Sequence, residues 1–337
     1  MPAARVHTFY TRLFYTRLFK VILCSILGLF MLSPIGCSTN PATGKRSFTM
    51  YSWDWEKRVG AEAANGLAEQ FGGEVEEVIP SRYVRDVGMK LVEGIEPGVP
   101  ELEWEFTLLN SSVINAFALP GGKVFFTRGL AEKLDSEAAM AGVLGHEIGH
   151  VTARHGNQKM SQQFGFNLGL AASNVIVGAS DSDSDLRKYG QIVVPGVAIG
   201  GNVLMLSYGR GSENEADMLG MRYMERAGYN PVGQLDVMEV LLASSSGARQ
   251  PEFLSTHPYP ESRIEDIRGL LSSTYAHTRG NPAYVFNREQ YRRKMLEPLS
   301  DLPPAPDTQS TTSMSTNPVF PPALWCSHCA EQVSLAD

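Results

Sequence analysis

His146-Glu147-Ile148-Gly149-His150 stands inside a stretch of small and apolar residues that runs from Ala138 to Val151. On an α-helix, positions i and i+4 share one face about 6 Å apart. Both imidazoles can therefore reach one ion, at zinc–nitrogen distances of about 2.0–2.1 Å, with Glu147 beside the open coordination position. The competing reading makes both histidines surface residues and Glu147 a solvated charge. The neighbours argue against it: Ala138, Ala139 and Ala141 allow close packing, and Met140, Val143 and Leu144 need burial. The pattern predicts a helix through a core, from Ser136 to His155, with Asp135 or Ser136 as N-cap and Gly156 just past its end.

Working outward, Trp53 to Ala68 and Pro80 to Ile95 read as amphipathic helices, and Glu103 to Asn110 alternates as a half-buried strand does. Asn115 to Leu119 and Lys123 to Thr127, joined by Pro120-Gly121-Gly122, predict a hairpin. Downstream, a helix is expected from Ser212 to Gly228, with Glu215 completing a capping box. Further helical patterns cover Val232 to Ser244 and Ser262 to Tyr275. Two apolar, Gly-rich stretches, Phe164 to Ala179 and Gln191 to Leu206, flank Asp181-Ser-Asp-Ser-Asp185. They read as helices packed on the core around an acidic tip, with a lid or a membrane-resting lip as alternatives.

A third ligand must come from outside the histidine helix. Ala153 and Gly156 stand where a longer histidine pattern needs Gly and His. Instead Glu213 and Asp217, four apart on the second helix, share a face. That suits one metal-binding carboxylate and one that accepts the outer N–H of His146 or His150. H-E-x-x-H followed some sixty residues later by E-x-x-A-D resembles the zinc metallopeptidase family of CAAX prenyl proteases and HtpX, above all its soluble lipoprotein and OMA-type branch. Cys37-Ser-Thr-Asn-Pro41-Ala-Thr-Gly44, Asn115-Ala-Phe-Ala-Leu-Pro-Gly-Gly122, Ala-Arg-His155, Arg210 three before Glu213, and Ser255-Thr-His-Pro258 carry the same likeness. The resemblance implies an α+β fold, a mainly helical zincin-type metallopeptidase domain with a small sheet or hairpin beside the histidine helix. It implies one zinc per chain on His146, His150 and Glu213, Glu147 as the base that takes a proton from water, and Asp217 and Arg210 behind the ligands.

Some candidates lie beside this set. His257, in Thr-His-Pro-Tyr-Pro, is expected to polarise the reacting carbonyl or to cap the metal at rest, against a structural histidine held between turns. His155 reads as a helix-end histidine rather than a ligand. Asn115, Ala116, Phe117 and Ala118 form a hairpin edge on which an extended substrate can add as a strand, against an ordinary structural hairpin.

Composition and targeting set the setting. A net charge of −7 argues against a nucleic-acid partner. The cysteines at 24, 37, 326 and 329 leave the middle of the chain without a thiol, so the core rests on packing or a metal. Arg5, Arg12, Arg17 and Lys20, an apolar run from Val21 to Leu32, and Gly36-Cys37 match a secretory signal ending in a lipobox-like site, although Pro34 stands where Leu is usual. Residues 1–36 are then a signal peptide, Cys37 the lipidated start, 37–300 the peptidase domain, and 301–337 a Pro/Ser/Thr-rich disordered tail. Cys326-Ser-His-Cys329 resembles half a zinc knuckle or a C-x-x-C redox pair, a weak motif better read as a local disulfide or as nothing functional. These features imply an enzyme on the periplasmic side of a bacterial envelope, at the outer membrane, acting on unfolded or misassembled envelope proteins. The alternative is a metal-bound chaperone or assembly factor that seldom cuts.

Overall fold

The computed structural model describes residues 37–178, 207–245 and 251–308, with backbone only for 37, 38 and 167–178. The signal segment, the acidic tip with its second apolar stretch, and Cys326-Ser-His-Cys329 lie outside the described residues.

The fold is α+β. Helix α1 (Trp53–Gln70) starts where Ser52 Oγ accepts from the Trp55 N–H. Helix α2 (Val78–Val92) buries Tyr83, Val84, Val87 and Leu91 along one stripe, as helical periodicity requires. The sheet comprises β3 (Glu105–Leu109), β4 (Ala116–Leu119) and β5 (Lys123–Thr127), in the order β3-β5-β4. The hairpin pairs antiparallel, Ala116 opposite Phe126 and Leu119 opposite Lys123. On its other side β5 runs parallel to β3, Glu105 opposite Lys123. Every residue of β5 is buried, and β4 forms one edge. Thr127 Oγ1 then caps the short helix α3 (Arg128–Ala131).

The histidine helix, α4 (Glu137–Thr152), is capped by Ser136 and buried at every position. Its small and apolar residues suit a core, and the polar groups it carries there are those of the site and of Glu137 and Thr152. It packs against α6 (Arg210–Arg226) and α7 (Val232–Ser245). The α4–α6 crossing is tight because it is lined by residues without bulk. A Cβ on Gly149 would lie 2.9 Å from the Ala216 carbonyl oxygen, and one on Gly220 would lie 2.8 Å from the His146 nitrogen. Helix α8 (Glu252–Thr256) and helix α9 (Pro260–Ser272) follow, and helical turns over 288–300 close the core.

Three expectations are corrected. Helix α4 does not run to His155: Arg154 adopts a left-handed conformation (φ 61°) and α5 (His155–Gly178) begins beyond it. The turn lets the Arg154 guanidinium bury on Glu56 Oε1, at 2.8–2.9 Å, and face the Trp53 ring. Helix α6 starts at Arg210 with Gly209 as its N-cap, so Ser212 lies inside the first turn and forms no capping box with Glu215. The chain from 301 to 308 is held on the domain, through Arg128 to the Pro303 carbonyl and Ser112 to the Pro306 carbonyl.

The N-terminal segment is also tied in. Strands β1 (Cys37–Thr39) and β2 (Arg46–Phe48) pair antiparallel. Between them Asn40 Oδ1 accepts from the Ala42 and Thr43 N–H groups, while its Nδ2 donates to the Thr152 carbonyl at 2.8 Å. This gives the Asn-Pro-Ala-Thr-Gly stretch a structural purpose, since it satisfies a carbonyl at the end of α4.

Gly220→Ala raises helix propensity yet is expected to lower stability by about 1–3 kcal/mol, because the added methyl meets backbone that cannot move aside. An unchanged melting temperature would show that the crossing has slack.

Candidate active site

Helix α4 aims His146 and His150 to one side, and α6 brings Glu213 and Asp217 to meet them. His146 Nε2 lies 3.0 Å from His150 Nε2 and 3.2 Å from His257 Nδ1. Glu213 Oε1 lies 3.5 Å from His150 Nε2 and 3.3 Å from His257 Nδ1. Donors around a tetrahedral zinc ion are separated by about 3.3–3.4 Å. The four buried residues thus form a set matched to one such ion. Glu147 Oε1 is buried without a hydrogen-bond partner, 3.5 Å from His257 Nε2. A buried orphan oxygen beside three imidazoles and a carboxylate is the donor chemistry a zinc site with a reacting water needs.

Asp217 stands behind His146. Its Oδ1 accepts from His146 Nδ1 at 2.9 Å and from Gln234 Nε2 at 2.7 Å, leaving His146 Nε2 to face the donor set. Arg263, which is fully buried, donates to both Asp217 oxygens at 2.7 Å and lies 2.8 Å from Glu213 Oε2. No spacing rule in the sequence singles this arginine out. It does the work expected of Arg210, which is instead exposed with its guanidinium 5.0 Å from the Tyr259 ring centroid.

His257 follows α8, stacked on Phe253 at 4.3 Å between ring centroids. Tyr208, which no motif flagged, stacks on His150 at 4.2 Å, and its backbone N–H donates to the Thr256 carbonyl. His155 also reaches the site, its Nδ1 2.9 Å from His150 Nδ1. A narrow cleft leads to His150 and Tyr208 past Ala118, Leu119, Pro120 and Arg154. Of the four residues expected at a substrate edge, only Ala118 lines it. Asn115, Ala116 and Phe117 are buried, Phe117 against Phe71 and Phe125.

The electrostatics follow from burial and charge. Burial raises the Glu147 carboxyl above its ordinary value, with Glu213 adding to the effect, against the pull of His257 and His146. Burial also raises Asp217, but Arg263 and His146 outweigh it and hold the carboxyl well below the carboxylate range. For His146, burial and then Arg263 act downward, yet Asp217 and Glu213 push it up to about 9. Burial drives His150 the other way, well below the ordinary imidazole value.

Known proteins are similar to this stretch of the chain. Residues 79–271 match peptidase family M48. The chain belongs to that family, which is zinc-dependent. It is 33% identical over 193 residues to the beta-barrel assembly-enhancing protease of Escherichia coli, covering 56% of this chain and 38% of that protein. It is 30% identical over 237 residues to the mitochondrial metalloendopeptidase OMA1 of Schizosaccharomyces pombe, covering 68% of this chain and 65% of that one. The OMA1 of Saccharomyces cerevisiae is 28% identical over 215 residues. The chain thus spans about two fifths of the bacterial relative.

Two expectations follow. Arg263→Met keeps bulk but leaves Glu213 and Asp217 without their cation, so stability should fall by about 3–5 kcal/mol. A thermal melt that hardly moves would deny Arg263 that role. The second concerns pH. A raised His146 contributes stability to the chelated protein that is complete below its unfolded value near 6.5 and is lost as pH rises through about 9. Glu147, also raised, acts in the same direction, whereas His150, kept neutral, costs stability only below its ordinary value. Zinc competes with the His146 proton, so stabilisation by zinc should grow from pH 6 to 9. Parallel melting curves of chelated and zinc-loaded protein across that range would contradict this assignment.

Proposed function

We propose that the chain is a zinc endopeptidase of the bacterial cell envelope that cuts misfolded or unassembled proteins. The observation that carries the reading is the set of His146, His150, Glu213 and His257, whose donor atoms lie within 4.8 Å of one another, with the unpartnered Oε1 of Glu147 beside it. Zinc held there supplies Lewis acidity, which makes water a nucleophile at neutral pH and polarises a peptide carbonyl. Glu147, raised by burial, accepts the proton of that water and returns it to the leaving amine. Asp217 fixes the His146 tautomer, and Arg263 holds Asp217 and Glu213 in place. An extended peptide enters along the β4 edge and the cleft past Ala118, its backbone supplying affinity with little demand on sequence.

Lipidation at Cys37 would hold the enzyme on the periplasmic face of the outer membrane, and bacterial relatives named as beta-barrel assembly-enhancing proteases support an envelope setting. No helix among the described residues is long and apolar enough to cross a membrane. One feature favours the chaperone reading: His257 completes a closed set of donors, as structural zinc sites have and active ones do not. In the peptidase reading His257 caps the metal at rest and leaves when a substrate enters.

Casein cleavage and zinc content, measured together, separate the readings. About one zinc per chain should bind both the wild type and Glu147→Gln, while only the wild type cuts. His257→Ala should cut faster if the cap is inhibitory. Zinc without cleavage in wild type and His257→Ala alike would favour the binder, and no zinc at all would overturn the ligand set.

A further inference from the structure

The two histidines of α4 are backed differently. His146 is held by Asp217, whereas His150 Nδ1 lies 2.9 Å from the Nδ1 of a third buried histidine, His155. The chain of contacts continues. His155 Nε2 lies 3.1 Å from Glu215 Oε2, and Glu215 Oε1 lies 2.7 Å from Lys45 Nζ, in the turn between β1 and β2. Lys45 is mostly exposed and Glu215 nearly buried, so the chain runs from solvent to the site.

Its polarity is fixed at the outer end. A carboxylate only accepts, so Glu215 takes the hydrogen of His155 Nε2 and leaves His155 Nδ1 as an acceptor. His150 Nδ1 must then be the donor, which frees His150 Nε2, the nitrogen facing His146 and Glu213, to bind a metal. The reverse polarity would put a hydrogen on His150 Nε2 and block it. The local geometry serves this arrangement. The left-handed turn at Arg154 brings His155 back beside His150, and the start of α6 at Arg210 turns Glu215 toward His155 instead of into a cap.

We infer that His155 and Glu215 are positioning residues that set the tautomer and orientation of His150, with Lys45 of the N-terminal hairpin holding Glu215. This rests on His150 being a zinc ligand, as proposed above. It gives the Ala-Arg-His end of the motif and the glutamate two after Glu213 a shared task. It also ties the segment that follows Cys37 to the metal site.

The test is zinc affinity of the full chain, by competition with a chromogenic chelator. His155→Leu removes both hydrogen bonds. His155→Gln keeps one acceptor and one donor on a single amide, so the relay can survive. His155→Leu and Glu215→Leu should each weaken zinc binding by about 10- to 100-fold, and His155→Gln should stay within about threefold of wild type. Nitrogen-15 spectra of the zinc-loaded wild type should show the His150 hydrogen on Nδ1. If His155→Leu melts like the wild type and binds zinc equally well, the inference fails. It fails too if His155→Leu and His155→Gln lose zinc equally, which is the mark of a packing role. Should His155→Leu not fold, Glu215→Leu decides alone, and undiminished zinc affinity there overturns the relay. His150→Ala separates the two layers of argument. If it binds zinc like the wild type, the ligand assignment is wrong; if it alone loses zinc, only the relay is wrong.

Discussion

Two helices must pass close enough for short acidic side chains on one to meet imidazoles on the other. Helices packed through ordinary side chains stand about 8–10 Å apart. Here Gly145 and Gly149 face Gly220 and Ala216 so tightly that a single methyl group would strike backbone. Glu213 and Asp217 sit on the face of α6 that this crossing turns toward α4, and both are buried. The site therefore depends on the absence of side chains at the crossing as much as on the chemical groups it brings together.

That closeness creates an electrostatic problem. Glu147, Glu213 and Asp217 lie within one buried cluster, and removing a carboxylate from water costs several kcal/mol unless it is paired. Arg263 answers part of it with a two-pronged bond to Asp217 and a contact to Glu213. A planar guanidinium can grip Asp217 with two parallel bonds and still reach Glu213, a fork that a lysine ammonium does not offer. Its single charge leaves the cluster acidic, and a divalent ion among the donors would redress the balance. The fold and the metal are in this sense complementary.

Much of this was legible in the sequence, and the reasons are physical. His146, Glu147 and His150 are read from their spacing on one helix face, Glu213 and Asp217 from theirs together with the family resemblance, and the Asn115–Thr127 hairpin from its Pro-Gly-Gly turn, because these are local constraints. Arg263, Tyr208 and the relay role of His155 are set by tertiary packing, for which no spacing rule exists. The resemblance implies a place for Arg210 behind the ligands, but it sits on the exposed first turn of α6. The break after Thr152 was hidden because Arg154, not a glycine, takes the left-handed turn. Burial of its guanidinium on Glu56 and Trp53 compensates for that conformation, and both partners lie about a hundred residues away.

The donor set is mechanically uneven, and this bears on how a closed site can work. His146 and His150 belong to a helix buried at every position, and Glu213 to the helix locked against it. Both histidines are backed on their outer nitrogens, by Asp217 and by His155. His257 differs. It follows a five-residue helix, its N–H donates to the neighbouring Phe253 carbonyl, and its ring rests on Phe253 and against Tyr208. Two residues on, Tyr259 adopts a left-handed conformation before α9 begins. Displacing His257 would disturb stacking and a short loop, whereas the other donors stand on helices locked together at the glycine-lined crossing. If one donor gives way to substrate, the packing selects His257.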